Sequence, residues 1–257
     1  MRSDVGAGGP RPPGRGELAF YAFSRTISVG VGRAYLPGRV LGRRHIPRKG
    51  PFILAPVHRS YVDWLLAARV TRRRLRYMAK DELWQSRIAG GLLDALGAFP
   101  VNRSGTDREA LERCRQVLEI GEPLVMFPEG TRRSGSEVEH LREGVAYLAL
   151  RAQVPVIPVG IGGSEQAMPR GARLPKPHHV VVVVGAPVVP PGAAALTMAP
   201  RDGGGSLEQR GSVPGAGDAG PPQRSRISRR ATAEFSEQVR TAMQAAFDAA
   251  RRAAGVP

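Results

Sequence analysis

Between residues 51 and 190, short apolar runs alternate with segments of helical periodicity. That alternation confines the chain to an α/β layered domain, because strands joined through helices pair side by side and are covered on their faces. Phe52-Ile53-Leu54-Ala55 reads as a buried strand and residues 61–70 as a helix. Leu75-Arg76-Tyr77-Met78 and Ala98-Phe99-Pro100-Val101 are shorter strands, and Pro100 puts the second at an edge or a strand end. Thr106 and Glu109 form a capping box for a helix that Gly121 closes. Residues 124–127 read as a strand, 144–153 as a helix, 156–159 as a strand, and 180–184 as a β-branched strand that ends the series.

The flanks differ from this core. Residues 1–15 are rich in Gly and Pro and read as a disordered arm. The domain itself is expected over 16–190, and a Gly-, Pro-, Ser- and Arg-rich stretch over 191–228 reads as a disordered insertion. In residues 229–254, Phe235, Val239, Met243 and Phe247 step by four along an amphipathic C-terminal helix. Near the other end, Phe20, Phe23, Ile27, Val31 and Ala34 recur every three or four residues over 17–36, with Arg25 and Arg33 opposite. Such a basic amphipathic helix either lies in a membrane interface or packs on its own domain. No apolar h-region marks a secretory signal, and no run of 18 apolar residues marks a transmembrane helix. Trp64 and Trp84 are candidates for a lipid interface, with core packing the competing fate for Trp64.

The chain has 257 residues with 38 Lys+Arg against 22 Asp+Glu, a formal charge of +16. Anionic partners follow from that balance, whether nucleic acid, membrane surface or phosphorylated substrate. Only three of the basic residues are lysines (49, 80 and 176), a bias that also fits a GC-rich coding sequence. Cys114 is the single cysteine, so neither an internal disulfide nor a cysteine-based zinc site is available. It is expected in the packing of the 106–120 helix. His45, His140, His178 and His179 lie in loop-like contexts and carry no assigned role, and no metal site is expected.

His58 and Asp63 follow the first buried strand directly. Five residues on an ideal helix turn through about 140°, so these two side chains meet only across a strand-to-helix turn. Ser60 and Asp63 form a capping box that puts Asp63 in the first helical turn, reaching back toward His58. An Asp that holds one imidazole nitrogen frees the other to take a proton from a hydroxyl. Further on, Phe127-Pro128-Glu129-Gly130-Thr131-Arg132 runs from a strand into a turn. There Gly130 lets backbone N–H groups approach an anion, while Thr131 and Arg132 add a hydroxyl and a forked cation. Arg103 likewise follows a short strand, after Gly97.

These blocks, in this order, resemble the 1-acyl-glycerol-3-phosphate acyltransferase family of glycerolipid acyltransferases. The His-x4-Asp block is met by His58 and Asp63, and the Phe-Pro-Glu-Gly-Thr-Arg block is matched without change. In the Gly-x-x-Phe-x-acid-Arg block, Gly97 and Arg103 fit, but Pro100 and Asn102 replace the Phe and the acid. The fourth block is met by Val154-Pro155-Val156-Ile157-Pro158-Val159-Gly160, and the resemblance covers roughly 50–165. Val57 stands where most members have Asn, and Arg142-Glu143-Gly144 where many have Lys-x-Gly. The resemblance implies a single layered α/β acyltransferase domain in which His58 is the general base and Asp63 orients it. It implies that Arg103, Gly130, Thr131 and Arg132 cradle the acceptor phosphate, and Glu129 is assigned to organising the same turn.

The implied reaction moves a fatty acyl group from acyl-CoA or acyl carrier protein to lysophosphatidic acid. Another lysolipid or glycerol 3-phosphate is the alternative acceptor, and no cofactor beyond the acyl thioester is expected. The expected setting is peripheral or monotopic, on the cytoplasmic face of the cell membrane. Residues 1–50 hold ten basic and two acidic residues, net +8, and residues 69–87 hold seven and two, net +5, so the charge suits an anionic membrane surface. A noncatalytic basic protein bound to membrane or nucleic acid is the rival of another class. Aromatics are only 5% of the chain and no nucleic-acid module is evident, so nucleic acid is not expected as a partner.

Overall fold

The computed structural model describes residues 11–101, 107–192 and 227–256. The disordered arm expected over 1–15 and the insertion expected over 191–228 lie mostly outside the described residues, as do Asn102, Arg103 and Thr106. Seven strands form one sheet: β1 (Gly38–Leu41), β2 (Ile53–Pro56), β3 (Arg76–Lys80), β4 (Ala98–Val101), β5 (Leu124–Val125), β6 (Val156–Gly162) and β7 (Val180–Val184). Their order across the sheet is β1-β7-β6-β2-β5-β3-β4. From β6 to β4 all neighbours are parallel, whereas β6 meets β7 antiparallel and β1 pairs parallel with β7. β4, with Pro100, is an edge strand, where a residue lacking an N–H costs no ladder bond.

The helices among the described residues are α1 (Arg15–Tyr35), α2 (Asp63–Ala67), α3 (Arg87–Ala95), α4 (Asp107–Glu119), α5 (Gly144–Ala152), α6 (Ser164–Ala167) and α7 (Arg229–Ala254). Against the sequence expectation, α2 is only five residues long, and the strand expected at 124–127 stops at Val125. Both are shorter because the flanking backbone bonds elsewhere to form the turns described below. β1 and α3 were not expected. The alternating burial of β1 is too short to register as a periodic run, and Gly90-Gly91 interrupts the helical pattern of α3.

The interior strand β6, between β7 and β2, is buried at every position. One face of it takes α7, whose Phe235, Val239, Met243 and Phe247 are buried, each worth about 1.5–3 kcal/mol by removal from water. Glycine permits the approach. A β-carbon on Gly160 would lie 2.1 Å from the Ala246 carbonyl oxygen, and one on Gly162 2.3 Å from that of Ala250. At its other end, α1 touches the domain through a narrow stripe. Tyr21, Ser24 and Gly32 are buried, while Phe20, Phe23, Ile27 and Val31 are exposed. Tyr21 anchors the stripe by accepting a hydrogen bond from the Leu75 N–H at 3.1 Å. The two tryptophans part company: Trp84 is buried with its Nε1 donating to Asp94, and Trp64 is 45% exposed. Cys114 is fully buried, and burial pushes its thiol up to about 12.

Candidate active site

The site is built at the carboxyl ends of adjacent parallel strands, where open α/β sheets bind ligands. β2 and β5 are neighbours with Leu54 opposite Val125, and the Met126 N–H extends the ladder to the Leu54 carbonyl. The segments leaving these strands therefore start side by side. One carries His58 and the other Glu129. The Arg133 N–H donates to the His58 carbonyl at 2.8 Å, which ties the two turns together again further out.

His58 Nδ1 lies 3.1 Å from Asp63 Oδ2, with the Asp63 side chain wholly buried and that of His58 22% exposed. Oδ2 also accepts from the Arg59 N–H at 2.6 Å and the Ser60 N–H at 2.7 Å. The bond to the Ser60 N–H is half of the expected capping box. The other half is displaced: the Ser60 hydroxyl donates to the Met168 carbonyl at 3.0 Å and accepts, at 3.5 Å, from the Val62 N–H and not from that of Asp63. Three groups thus converge on one buried oxygen of Asp63. An anionic Asp63 accepts Nδ1–H from the imidazole, so Nε2 is the nitrogen left to accept a proton. The ring stacks on Phe127 with centroids 4.2 Å apart.

Glu129 is as deeply buried as Asp63. Its Oε2 accepts from the His58 N–H at 2.8 Å, and both oxygens accept from Arg59 Nη1, at 2.7 and 2.8 Å. Arg59 is 2% exposed and spends its remaining donors on the carbonyls of Gly135 and Glu137. Its guanidinium also lies 4.8 Å above the Phe247 ring, so α7 closes this pair from behind. Two buried charges held in this way lock the backbone on both sides of His58. Sequence reasoning named Glu129 but missed Arg59. The available signal was that a buried Glu after a strand needs a cation, and Arg59 adjoins the motif His.

The other residues of the glycine turn face outward. Gly130 has φ +70°, a left-handed conformation that disfavours side chains, and both it and Thr131 are exposed. A β-carbon on Gly130 would lie 2.3 Å from Arg142 Nε. The Arg142 side chain thus lies against the turn, and the Arg142 backbone N–H donates to the Pro128 carbonyl. The Arg132 guanidinium rests on the Tyr61 ring, 3.4 Å from its centroid, which keeps that cation beside the turn after β2. Arg103 lies outside the described residues.

A cavity of about 480 Å³ opens beside His58. Its walls are largely apolar and include Phe127, which stacks on the imidazole, together with Trp64, Leu65, Met78, Leu93 and Leu96. Tyr21 and Val29 of α1 form one side of it. Trp64, Tyr61 and Phe127 were therefore available as candidate lining residues, but nothing in their spacing distinguishes a cavity wall from core. Among the described residues, no cluster of His, Cys, Asp and Glu is suited to a metal ion.

Comparison with known proteins follows the same outline. Residues 38–162 match the family model described as Acyltransferase. The chain is 28% identical over 151 residues to a 1-acyl-sn-glycerol-3-phosphate acyltransferase of Bacillus subtilis, an alignment covering 58% of this chain and 73% of that protein. It is 31% identical over 157 residues to the protein of that name from Streptococcus pneumoniae, covering 58% of this chain and 56% of that one. The human 1-acyl-sn-glycerol-3-phosphate acyltransferase alpha is 30% identical over 123 residues, 47% of this chain and 44% of its own length. In these last two cases the match spans about half of the relative. The fold is similar to that of the 1-acyl-sn-glycerophosphate (LPA) acyltransferase PlsC from Thermotoga maritima, with a TM-score of 0.59 at 20% identity over 91% of this chain and 87% of that one.

Proposed function

We propose that this chain, whose residues 38–162 match the family model described as Acyltransferase, moves a fatty acyl group from an acyl thioester to the free hydroxyl of 1-acyl-glycerol-3-phosphate. The observation that carries this reading is the placement of His58, held at Nδ1 by a buried Asp63 and lining an apolar cavity. In the proposed reaction Nε2 takes the proton of the acceptor hydroxyl as its oxygen attacks the thioester carbonyl carbon. The tetrahedral adduct collapses with cleavage of the C–S bond, and the imidazolium returns the proton to the departing thiolate. Asp63 holds the tautomer and stabilises the cation that forms between the two steps. Each step is an acid–base or acyl transfer, so the only co-substrate is the thioester, from acyl-CoA or an acyl carrier protein.

The acceptor phosphate is assigned to the Gly130-Thr131-Arg132 turn, together with Arg103. A forked guanidinium suits a phosphate oxygen pair, and clamping the phosphate fixes the hydroxyl near His58. The apolar cavity is assigned to acyl chain. The surface setting is a membrane, reached through the exposed apolar face of α1. No helix among the described residues is long and apolar enough to cross a bilayer.

Purified enzyme with labelled acyl-CoA, offered lysophosphatidate, glycerol 3-phosphate and other lysolipids, tests the reaction and its acceptor together. Lysophosphatidate is expected to give the fastest product formation. His58→Ala is expected to lower kcat by about 10² to 10⁴ while the circular dichroism spectrum and melting temperature stay unchanged. Wild-type turnover by that variant would overturn the base assignment.

A further inference from the structure

Away from His58, a second pocket of about 490 Å³ lies between α1, the segment after β1 and the segment after α2. Six of the residues lining it are arginines: Arg25, Arg43, Arg48, Arg69, Arg72 and Arg73. It shares only Arg25 and Val29 with the cavity beside His58. No carboxylate lines it, and none of the six forms an ion pair among the described residues. Their neighbours differ: Arg74 and Arg76 both reach Glu122, at 3.4 and 3.6 Å.

What four of the six cations do reach is backbone. Arg25 donates to the carbonyls of Ala68 and Thr71, Arg43 to that of Arg69, Arg69 to that of Leu36, and Arg73 to that of Pro47. These bonds fix the guanidinium groups in place without neutralising them. Arg69 is the extreme case. It is 6% exposed, and its Nε and Nη2 have no hydrogen-bond partner. Burial, with the charge of Arg33 added, pushes its guanidinium down to about 10, which still leaves it a full cation at neutral pH. A buried, unpaired charge with idle donors is costly. The arrangement is preorganised for an anion that would offset that cost.

We infer that this pocket is a phosphate-binding site, taking a phosphate monoester or diester. The fork geometry of several guanidinium groups matches the oxygens of phosphate. The same helix that lends Arg25 and Val29 to the wall presents Phe23, Ile27 and Val31 to the outside. A phosphate that carries an apolar tail can therefore seat its head in the pocket and its tail along α1. The shared chemistry is phosphate, and its two sources are a lipid headgroup and a soluble phosphate.

The site stands apart from acyl transfer, and its test uses no turnover. The full chain with Arg132→Ala serves as background, so that phosphate on the Gly130 turn does not enter the signal. Arg48→Ala with Arg72→Ala removes two exposed cations of the pocket, and Arg229→Ala with Arg252→Ala removes the same charge at the ends of α7. Two readouts are taken: melting temperature against inorganic phosphate, and flotation with phosphatidylcholine vesicles with or without phosphatidate. A rise in melting temperature with phosphate that needs about tenfold more phosphate in the pocket variant, and not in the α7 variant, supports a soluble source. No response to phosphate, but a phosphatidate-dependent gain in flotation that the pocket variant loses about tenfold, supports a lipid source. The inference is overturned if the pocket variant matches the background in both readouts, or if the α7 variant loses as much.

Discussion

At the scale of the residue, the site depends on two buried carboxylates with different duties. Asp63 gathers two backbone N–H groups and the imidazole on one oxygen, while Glu129 gathers one backbone N–H and a guanidinium. Arg59 is therefore a positioning residue in the proposed mechanism: it touches no reacting atom and holds the backbone that carries His58. Arg59→Ala leaves Glu129 buried and unpaired, a loss of about 3–5 kcal/mol, seen as an earlier midpoint in urea. In the folded fraction, kcat is expected to fall with little change in KM. Arg59→Lys restores charge without the fork, so its stability is expected to recover more than its kcat does. His58, Asp63 and Glu129 were legible in the sequence, because a motif fixes residue identity and order. Arg59 was not, since a cation that finds its partner some seventy positions away leaves no local pattern.

At the scale of the element, short secondary structure is what makes the turns. α2 begins only at Asp63 and β5 ends at Val125, so the intervening backbone is free to turn and bond to the two carboxylates. Long apolar runs such as β6 and β7 were readable because a buried strand needs consecutive apolar residues. The four-residue β1 and the glycine-interrupted α3 gave no comparable signal. α1 was readable as amphipathic, but periodicity alone did not say which way the apolar stripe pointed. It points outward, with Phe23 at 64% exposure and Ile27 at 50%. Phe23→Ser with Ile27→Ser is expected to weaken vesicle binding at least about tenfold and to leave the melting temperature nearly unchanged. An unchanged flotation profile would remove α1 from the membrane assignment. For α7, Gly160→Val sets a side chain against the Ala246 carbonyl. It is expected to cost at least about 1–3 kcal/mol, read as a lower melting temperature with the same far-ultraviolet spectrum.

At the scale of the whole molecule, the fold class was legible from alternation alone, whereas the order of the strands was not. Nothing local announces that β7 runs antiparallel to β6 or that β1 joins it at the far edge. Those pairings are decided by which face each strand can bury once the sheet has formed. The net charge of +16 also resolves in three dimensions. Part of it is offset in the Glu129 and Glu122 pairs, and six of the cations gather without an ion pair in the arginine-lined pocket. The close seat of α7 on Gly160 and Gly162 has a consequence for assembly in time. β6 lies inside the sheet, next to the central β2, yet the helix that covers its face comes from residues 229–254, the last element described. Such pairing raises contact order and slows folding. During synthesis the sheet emerges from the ribosome before α7 does, leaving the apolar face of β6 uncovered, so the nascent chain passes through a sticky intermediate that a holding chaperone is expected to bind.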